Sequence, residues 1–327
     1  MLESVHHPWF IRWAESAHRH LEDRGTLLLP LEAEDLTRRA RSRTGLQDFG
    51  EAGFQDGLSV LCESARTDAN LSLFGRVMLQ QVVVSALASR LRRIELRKTR
   101  PEIFEQPLNR PVIVLGLPRS GTTHLHRLLA LSPEARALKT WEVREPLPGR
   151  GLDLRRVRTK AMVEHIRRTA PALDAKHLID VDKPEECVFL LEDSMASFSY
   201  WMFFPLYGYL EWLVKSDPTP AYTAYREYLQ IFQAQSPDNR LVLKAPCHAN
   251  HVAALHHAIP EATLVHTHRD PVPVMGSVNS LFHTIFSMVS REVDHDRLGR
   301  TNLEAVSYTH LRAHETLISI SYAVFCL

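Results

Sequence analysis

The sequence predicts an α/β fold, a P-loop-like parallel sheet flanked by helices, with a helical N-terminal region. Three observations carry this. The short apolar run Val112-Ile113-Val114-Leu115 leads directly into the glycine loop Gly116-Leu117-Pro118-Arg119-Ser120-Gly121-Thr122-Thr123, and a helix-like stretch from His124 to Leu131 follows it. A second run, Leu241-Val242-Leu243, ends at Lys244. A third, Ala262 to His266, leads to Arg269-Asp270-Pro271 with another helix behind it. Short apolar runs bounded by turn residues suit strands buried on both faces of a parallel sheet. Their alternation with helices, such as the helix-like Ala249 to Ala258, puts ligands at the carboxyl ends of the strands.

Residues 1–108 read as a helical region packed on the core, because Leu58, Leu61, Leu71, Phe74, Val77, Met78, Val82 and Leu87 recur at three- and four-residue steps. Gly45, Gly50 and Gly53 interrupt them as loops. Leu87, Leu91, Ile94 and Leu96, set among Arg90, Arg92, Arg93, Arg97 and Lys98, predict an amphipathic helix with a solvated basic face. Residues 109–305 form the α/β core. Residues 306–327, VSYTHLRAHETLISISYAVFCL, are set apart. VSYTHLRAHE and ISYAVFCL match in-frame translations of two sequencing-library adapters, so the segment is excluded from the fold reading and the natural chain is expected to continue past Ala305.

Lys+Arg total 39 against 38 Asp+Glu, a formal net charge of +1, which argues against nucleic acid or an anionic membrane surface recruited by bulk charge. Hydrophobic content of 45% with 24% charged residues is that of an ordinary globular protein and excludes long disorder. No apolar run is seen to approach the ~20 residues of a membrane span, nor does the N-terminus read as a signal peptide, so the expected location is cytoplasmic. The cysteines, Cys62, Cys187, Cys247 and Cys326, form no C-x-x-C pair and read as reduced thiols. His248, His251 and His256 lack an acidic partner at ligand spacing, so no metal is expected.

Gly116 and Gly121 have the spacing of the phosphate loop G-x-x-x-x-G-K-[ST], whose amides converge on an anion at a helix N-terminus. Thr122 stands where a nucleoside triphosphatase needs lysine, and the cation is instead Arg119, inside the loop. That arrangement suits a group less charged than a triphosphate. A nucleotide kinase or triphosphatase, and a non-catalytic nucleotide-binding protein, remain the alternatives.

The stretch V-I-V-L-G-L-P-R-S-G-T-T resembles the 5′-phosphosulfate loop of sulfotransferases that use 3′-phosphoadenylyl sulfate (PAPS). Their second signature, an arginine closing a later strand with a serine eight positions on, is matched by Arg269 and Ser277. The likeness runs from about residue 36 (T-G-L-Q-D-F-G, F-G-R) through L-K-A-P-C-H to Ala305, and is strongest to the bacterial branch related to tyrosylprotein sulfotransferases. Members of that branch run on past this point.

The resemblance implies PAPS as sulfuryl donor without a metal. Pro118, Arg119, Ser120, Gly121, Thr122 and Thr123 would hold the 5′-phosphosulfate, and Arg269 and Ser277 the 3′-phosphate. Arg119 would stabilise charge on the departing phosphate, Lys244 would neutralise the sulfuryl oxygens, and Glu142, in K-T-W-E-V-R-E-P beside Trp141, would be the base. His248, placed like the histidine of cytosolic sulfotransferases, is the other candidate. The acceptor would be a small-molecule or peptide hydroxyl; lipid, sterol, phenol, sugar and peptide all stay open, and oligomeric state is not legible. The aromatic stretch Phe198 to Phe204, continuing to Tyr207, Tyr209 and Trp212, suits an acceptor pocket or ordinary core equally.

Overall fold

The computed structural model describes residues 9–22, 29–317 and 323–326. Its centre is a five-stranded, all-parallel sheet of β1 (Val112–Gly116), β2 (Ala135–Ala137), β3 (Arg240–Lys244), β4 (Thr263–His268) and β5 (Ala323–Cys326), in the order β2-β3-β1-β4-β5. The three strands expected from the sequence are the middle three. β1 lies between its partners, with Val114 opposite Lys244 of β3 and Val265 of β4. The chain leaves β1 toward the β2 edge and leaves β4 toward the β5 edge. The crevice at such a reversal is where α/β sheets bind ligands, and the loops after β1 and β4 both open there.

Alternation along each strand divides the core. Ile113, Leu115, Leu241, Leu243 and Leu264 pack with Tyr222, Tyr225, Leu229 and Phe232 of the helix Thr219–Gln235. The other face holds the loop helix Thr122–Leu129, whose His126 Nε2 lies 3.0 Å from the Val242 carbonyl. Burial pushes the His126 imidazole down to about 4, so it stays neutral at physiological pH. The helices Ala33–Thr44, Phe54–Thr67 and Leu73–Thr99 form a second core with Tyr200, Trp201, Tyr209 and Phe286. The N-terminal helices thus share a core with segments 100 to 200 residues further on.

Four features differ from the sequence reading. First, Arg90 and Arg93 of Leu73–Thr99 are buried. Arg93 Nε donates to Asp193 Oδ2 at 2.7 Å and its Nη1 to Glu227; Arg90 donates to the carbonyls of Phe49, Glu51 and Asp193. The helix is covered on that side too, and paired guanidinium groups tolerate burial where solvated ones would not. Second, β2 is a three-residue edge strand of Ala-Arg-Ala, too short and too polar to give a period-two pattern. Third, the helix Pro271–Val289 is by length and composition apolar enough to cross a membrane. In this fold its Val274, Val278 and Phe286 are buried and it lines a cavity described below. Fourth, the helix His295–Leu317 runs unbroken through Val306, and β5 pairs with β4 in the segment set apart at Ala305. β4 would otherwise end the sheet as an open edge, which any β-prone segment can cover; the pairing reports on that edge and not on the origin of the segment. Cys62, Cys187 and Cys247 are free thiols, and the side chain of Cys326 lies outside the described residues.

A pH test arises from the 3₁₀ segment Cys187–Ser194. Burial pushes the Glu192 carboxyl up to about 7, with Arg144, 4.0 Å away, offsetting it only in part. The folded state therefore holds a proton that the unfolded chain releases nearer the ordinary value of 4.5. This contribution to stability is complete below that value and is lost as pH rises through about 7. Glu192→Gln should accordingly melt closer to, or above, the parent at pH 8 than at pH 5. Parallel melting curves whose gap does not change with pH would refute the assignment.

Candidate active site

The turn after β1 has its shape because of its glycines. Gly116 sits at φ +140°, and a Cβ there would lie 2.4 Å from the Thr267 carbonyl oxygen of β4, so only glycine lets the two strands remain paired. Gly121 (φ +84°) starts the loop helix, and between them Arg119 holds the left-handed region at φ +66°. Non-glycine residues there are strained and persist where the surroundings fix them. Three contacts do so. Arg119 Nε donates to Ser277 Oγ at 2.9 Å, Arg119 Nη1 donates to the Lys176 carbonyl at 2.9 Å, and the Arg119 carbonyl accepts from Arg269 Nη1 at 2.8 Å. Ser120 Oγ, buried, bonds the Leu117 carbonyl at 2.5 Å and Thr267 Oγ1 at 2.6 Å.

Arg119, Arg269 and Ser277 are thus in direct contact although some 150 residues separate the first from the others. Asp270 caps the helix Pro271–Val289, its Oδ1 accepting from the Val272 amide at 2.9 Å, which sets Ser277 in the second turn facing the loop. Two guanidinium groups and a hydroxyl thus gather beside a glycine turn at a helix N-terminus, the chemistry by which proteins bind anions.

Lys244 closes β3 and is almost wholly buried. Its Nζ donates to Glu186 Oε1 at 2.6 Å, while Glu186 Oε2 is buried with no hydrogen-bond partner. The preceding Glu185 accepts the Glu186 amide at 2.8 Å and lies 3.7 Å from His177 Nε2. Burial alone would raise the Glu185 carboxyl, but His177, Lys244 and that amide outweigh it and hold it down at about 2. The sequence reading missed this pair. The doubled carboxylate in D-K-P-E-E-C, immediately before the apolar run Cys187-Val188-Phe189-Leu190-Leu191, was the available signal, since acids seldom open a buried segment without a partner.

The two residues expected to supply the base lie elsewhere. Glu142, in the short helix Thr140–Arg144, is held by Arg136, which engages both carboxylate oxygens, and by the Lys139 amide at 2.8 Å in a capping box. Its position beside Trp141 serves the start of that helix. His248 is fully buried, with Nδ1 2.9 Å from the Tyr222 hydroxyl and Nε2 3.4 Å from Cys187 Sγ. Burial, aided by His251, pushes its imidazole down to about 3. A histidine so weakly basic, with both ring nitrogens engaged, belongs to the core.

A cavity of about 150 Å³ opens beside the loop. Arg119, Thr122, Thr123 and Glu186 line it together with Phe198, Trp201, Met202, Phe203, Phe282 and Ile285; neither Glu142 nor His248 is among its lining residues. The aromatic stretch divides: Tyr200 and Tyr209 are core, while Phe198, Trp201 and Phe203 line the cavity. Among the described residues no group of three or more His, Cys, Asp or Glu could hold a metal ion.

The profile of the sulfotransferase family matches residues 111–323, which takes in the loop, Lys244, Arg269 and Ser277. The chain belongs to the sulfotransferase family. It is similar to sulfotransferase STF9 from Mycobacterium avium, at 28% identity and TM-score 0.80 over 90% of this chain and 78% of that one. It is also similar to sulfotransferase STF1 from Mycobacterium tuberculosis, at 27% identity and TM-score 0.77 over 91% of this chain and 85% of that one. No curated protein matches it.

Proposed function

We propose that this sulfotransferase takes the sulfuryl group from 3′-phosphoadenylyl sulfate and moves it in line to an acceptor hydroxyl. The observation that supports this most is the contact of Arg119 with Ser277 and Arg269 across the crevice between β1 and β4. A donor with phosphate at both its 5′ and 3′ ends needs two neighbouring anion sites, and the two guanidinium groups gathered there support that reading. In this reading the backbone amides of Ser120 to Thr123 and the start of the loop helix hold the 5′-phosphosulfate. Arg269 and Ser277 take the 3′-phosphate through charge-assisted hydrogen bonds. Arg119, free to exchange its Ser277 and Lys176 partners for the donor, neutralises charge that develops on the departing phosphate. Lys244 adds positive charge from behind Glu186. The work of the protein is positioning and charge stabilisation, as transfer through a loose transition state demands.

Calorimetric titration with 3′,5′-adenosine bisphosphate, the product left after transfer, and separately with magnesium ATP, tests the reading. The bisphosphate should bind and ATP should bind weakly. Arg269→Ala should weaken the bisphosphate by about 10–100-fold, the worth of a hydrogen bond between charged groups. A preference for magnesium ATP would instead support a kinase or triphosphatase and sink the proposal.

A further inference from the structure

We infer that Glu186 is the group that receives the acceptor's proton, and that the acceptor is an alcohol or phenol carried on an uncharged, apolar body. The inference rests on the proposed sulfuryl transfer and goes beyond it to the base and the substrate class. A buried carboxylate oxygen without a donor is costly, and folded proteins rarely keep one without use. Glu186 Oε2 is such an atom. Its partner oxygen accepts from Lys244 Nζ at 2.6 Å, which anchors the carboxylate and leaves Oε2 as the oxygen open to a proton. The residue shares the wall of the cavity with Arg119, Thr122 and Thr123, where the donor's sulfuryl end would sit. Oε2 gives up no hydrogen bond in meeting a bound hydroxyl, while Lys244 keeps its hold on Oε1.

The rest of the cavity sets the class of acceptor. Apart from Arg119 and Glu186, no Lys, Arg, Asp or Glu among the described residues lines it; Thr122, Thr123, His177, Asn250 and Asn302 are polar members of a lining that is otherwise mostly aromatic and aliphatic. A sugar would set most of its further hydroxyls against that apolar lining, and an acidic peptide would bury its charges there. An apolar body loses nothing on entry and leaves one polar group, its hydroxyl, for Glu186. At about 150 Å³ the space takes a ring-sized group; a cavity of similar volume in another protein binds benzene.

In the transfer, the acceptor oxygen forms a bond to sulfur as the bond from sulfur to the bridging phosphate oxygen breaks. The acceptor's proton passes to Glu186 Oε2, and the bond's electron pair leaves with 3′,5′-adenosine bisphosphate. Glu186 later returns the proton to solvent.

The test measures transfer from radiolabelled PAPS to 2-naphthol, decanol, glucose and a tyrosine-containing acidic peptide, alongside bisphosphate titration of each variant. Turnover of 2-naphthol or decanol at least tenfold above glucose and peptide is expected; comparable or better turnover of glucose or peptide, or none of either apolar alcohol, overturns the acceptor class. Glu186→Gln should lower kcat by about 10²–10⁴-fold with bisphosphate affinity within threefold, and formate should restore part of the rate of Glu186→Ala. Glu142→Gln and His248→Phe, if folded, should keep acceptor turnover within tenfold. Loss of kcat in Glu142→Gln with Glu186→Gln unaffected would move the base back to Glu142. Failure of the parent to bind bisphosphate would instead strike the donor reading itself, which keeps the two failures distinct.

Discussion

Replacing Arg119 with glycine is expected to lower the rate of sulfuryl transfer by roughly 10²–10³-fold, the usual loss when one stabiliser of transition-state charge is removed, while leaving the fold intact. The two effects separate because of the backbone. Arg119 occupies the left-handed region at φ +66°, a conformation that disfavours an L-residue by roughly 1–2 kcal/mol and that glycine adopts freely. The substitution relieves that strain as it deletes the hydrogen bonds to Ser277 and the Lys176 carbonyl. The Arg119 carbonyl that receives Arg269 remains in the backbone. Arg119→Lys keeps a charge but cannot hold both partners in the planar geometry of a guanidinium, so its rate should fall between those of the glycine variant and the parent. Initial rates at saturating acceptor, read beside thermal unfolding, decide the matter. An undiminished rate in Arg119→Gly would remove the residue from the chemistry, and a collapse of the melting temperature would make it structural.

Arg93→Ala is expected to cost about 3–5 kcal/mol of stability. Arg93 stands between two buried carboxylates, Asp193 and Glu227, and the Tyr228 hydroxyl also donates to Asp193 Oδ2 at 2.9 Å. Burial by itself would push its guanidinium down; Asp193, Tyr228 and Glu227 outweigh that and hold it well above the ordinary arginine value. Removing the cation leaves two acids in the core, with only the more exposed Arg97 still reaching Glu227 at 2.8 Å. Lys98, on the same helix and paired to Asp48 at the surface, provides the comparison: Lys98→Ala should change little, because solvent and salt screen such a pair. Urea unfolding of both variants reads the difference. Equal, small effects would mean that the Arg93 cluster contributes no more than a surface ion pair.

The glycine loop and the Arg269–Ser277 step are legible in the linear chain because their rules are local. Val112 to Thr123 encodes strand, turn and helix in twelve consecutive residues, and glycine is needed at Gly116 and Gly121 for reasons of backbone geometry alone. The eight-residue step from Arg269 to Ser277 is likewise contained in one strand end and the first turns of one helix. Such features survive in a linear sequence, since the residues that define them are neighbours in it.

What the tertiary structure decided concerns residues that meet from far apart. Lys244 and Glu186 are 58 positions apart and belong to a strand and a connecting segment, so no spacing announces their ion pair. Glu142, with the better local context, is instead committed to Arg136 and the Lys139 amide. Arg90 and Arg93 read as a solvated face because a run of arginines on a helix has no intrinsic marker of burial; carboxylates 100 and 134 residues away made the core position of Arg93 tenable. The aromatic stretch after Ser197 acquired its cavity wall only when the helix Pro271–Val289 packed across it with Phe282 and Ile285. Local sequence thus sets backbone shape and the glycine loop, whereas the Lys244–Glu186 pair, the buried charges and the cavity depend on side chains whose partners only packing brings within reach.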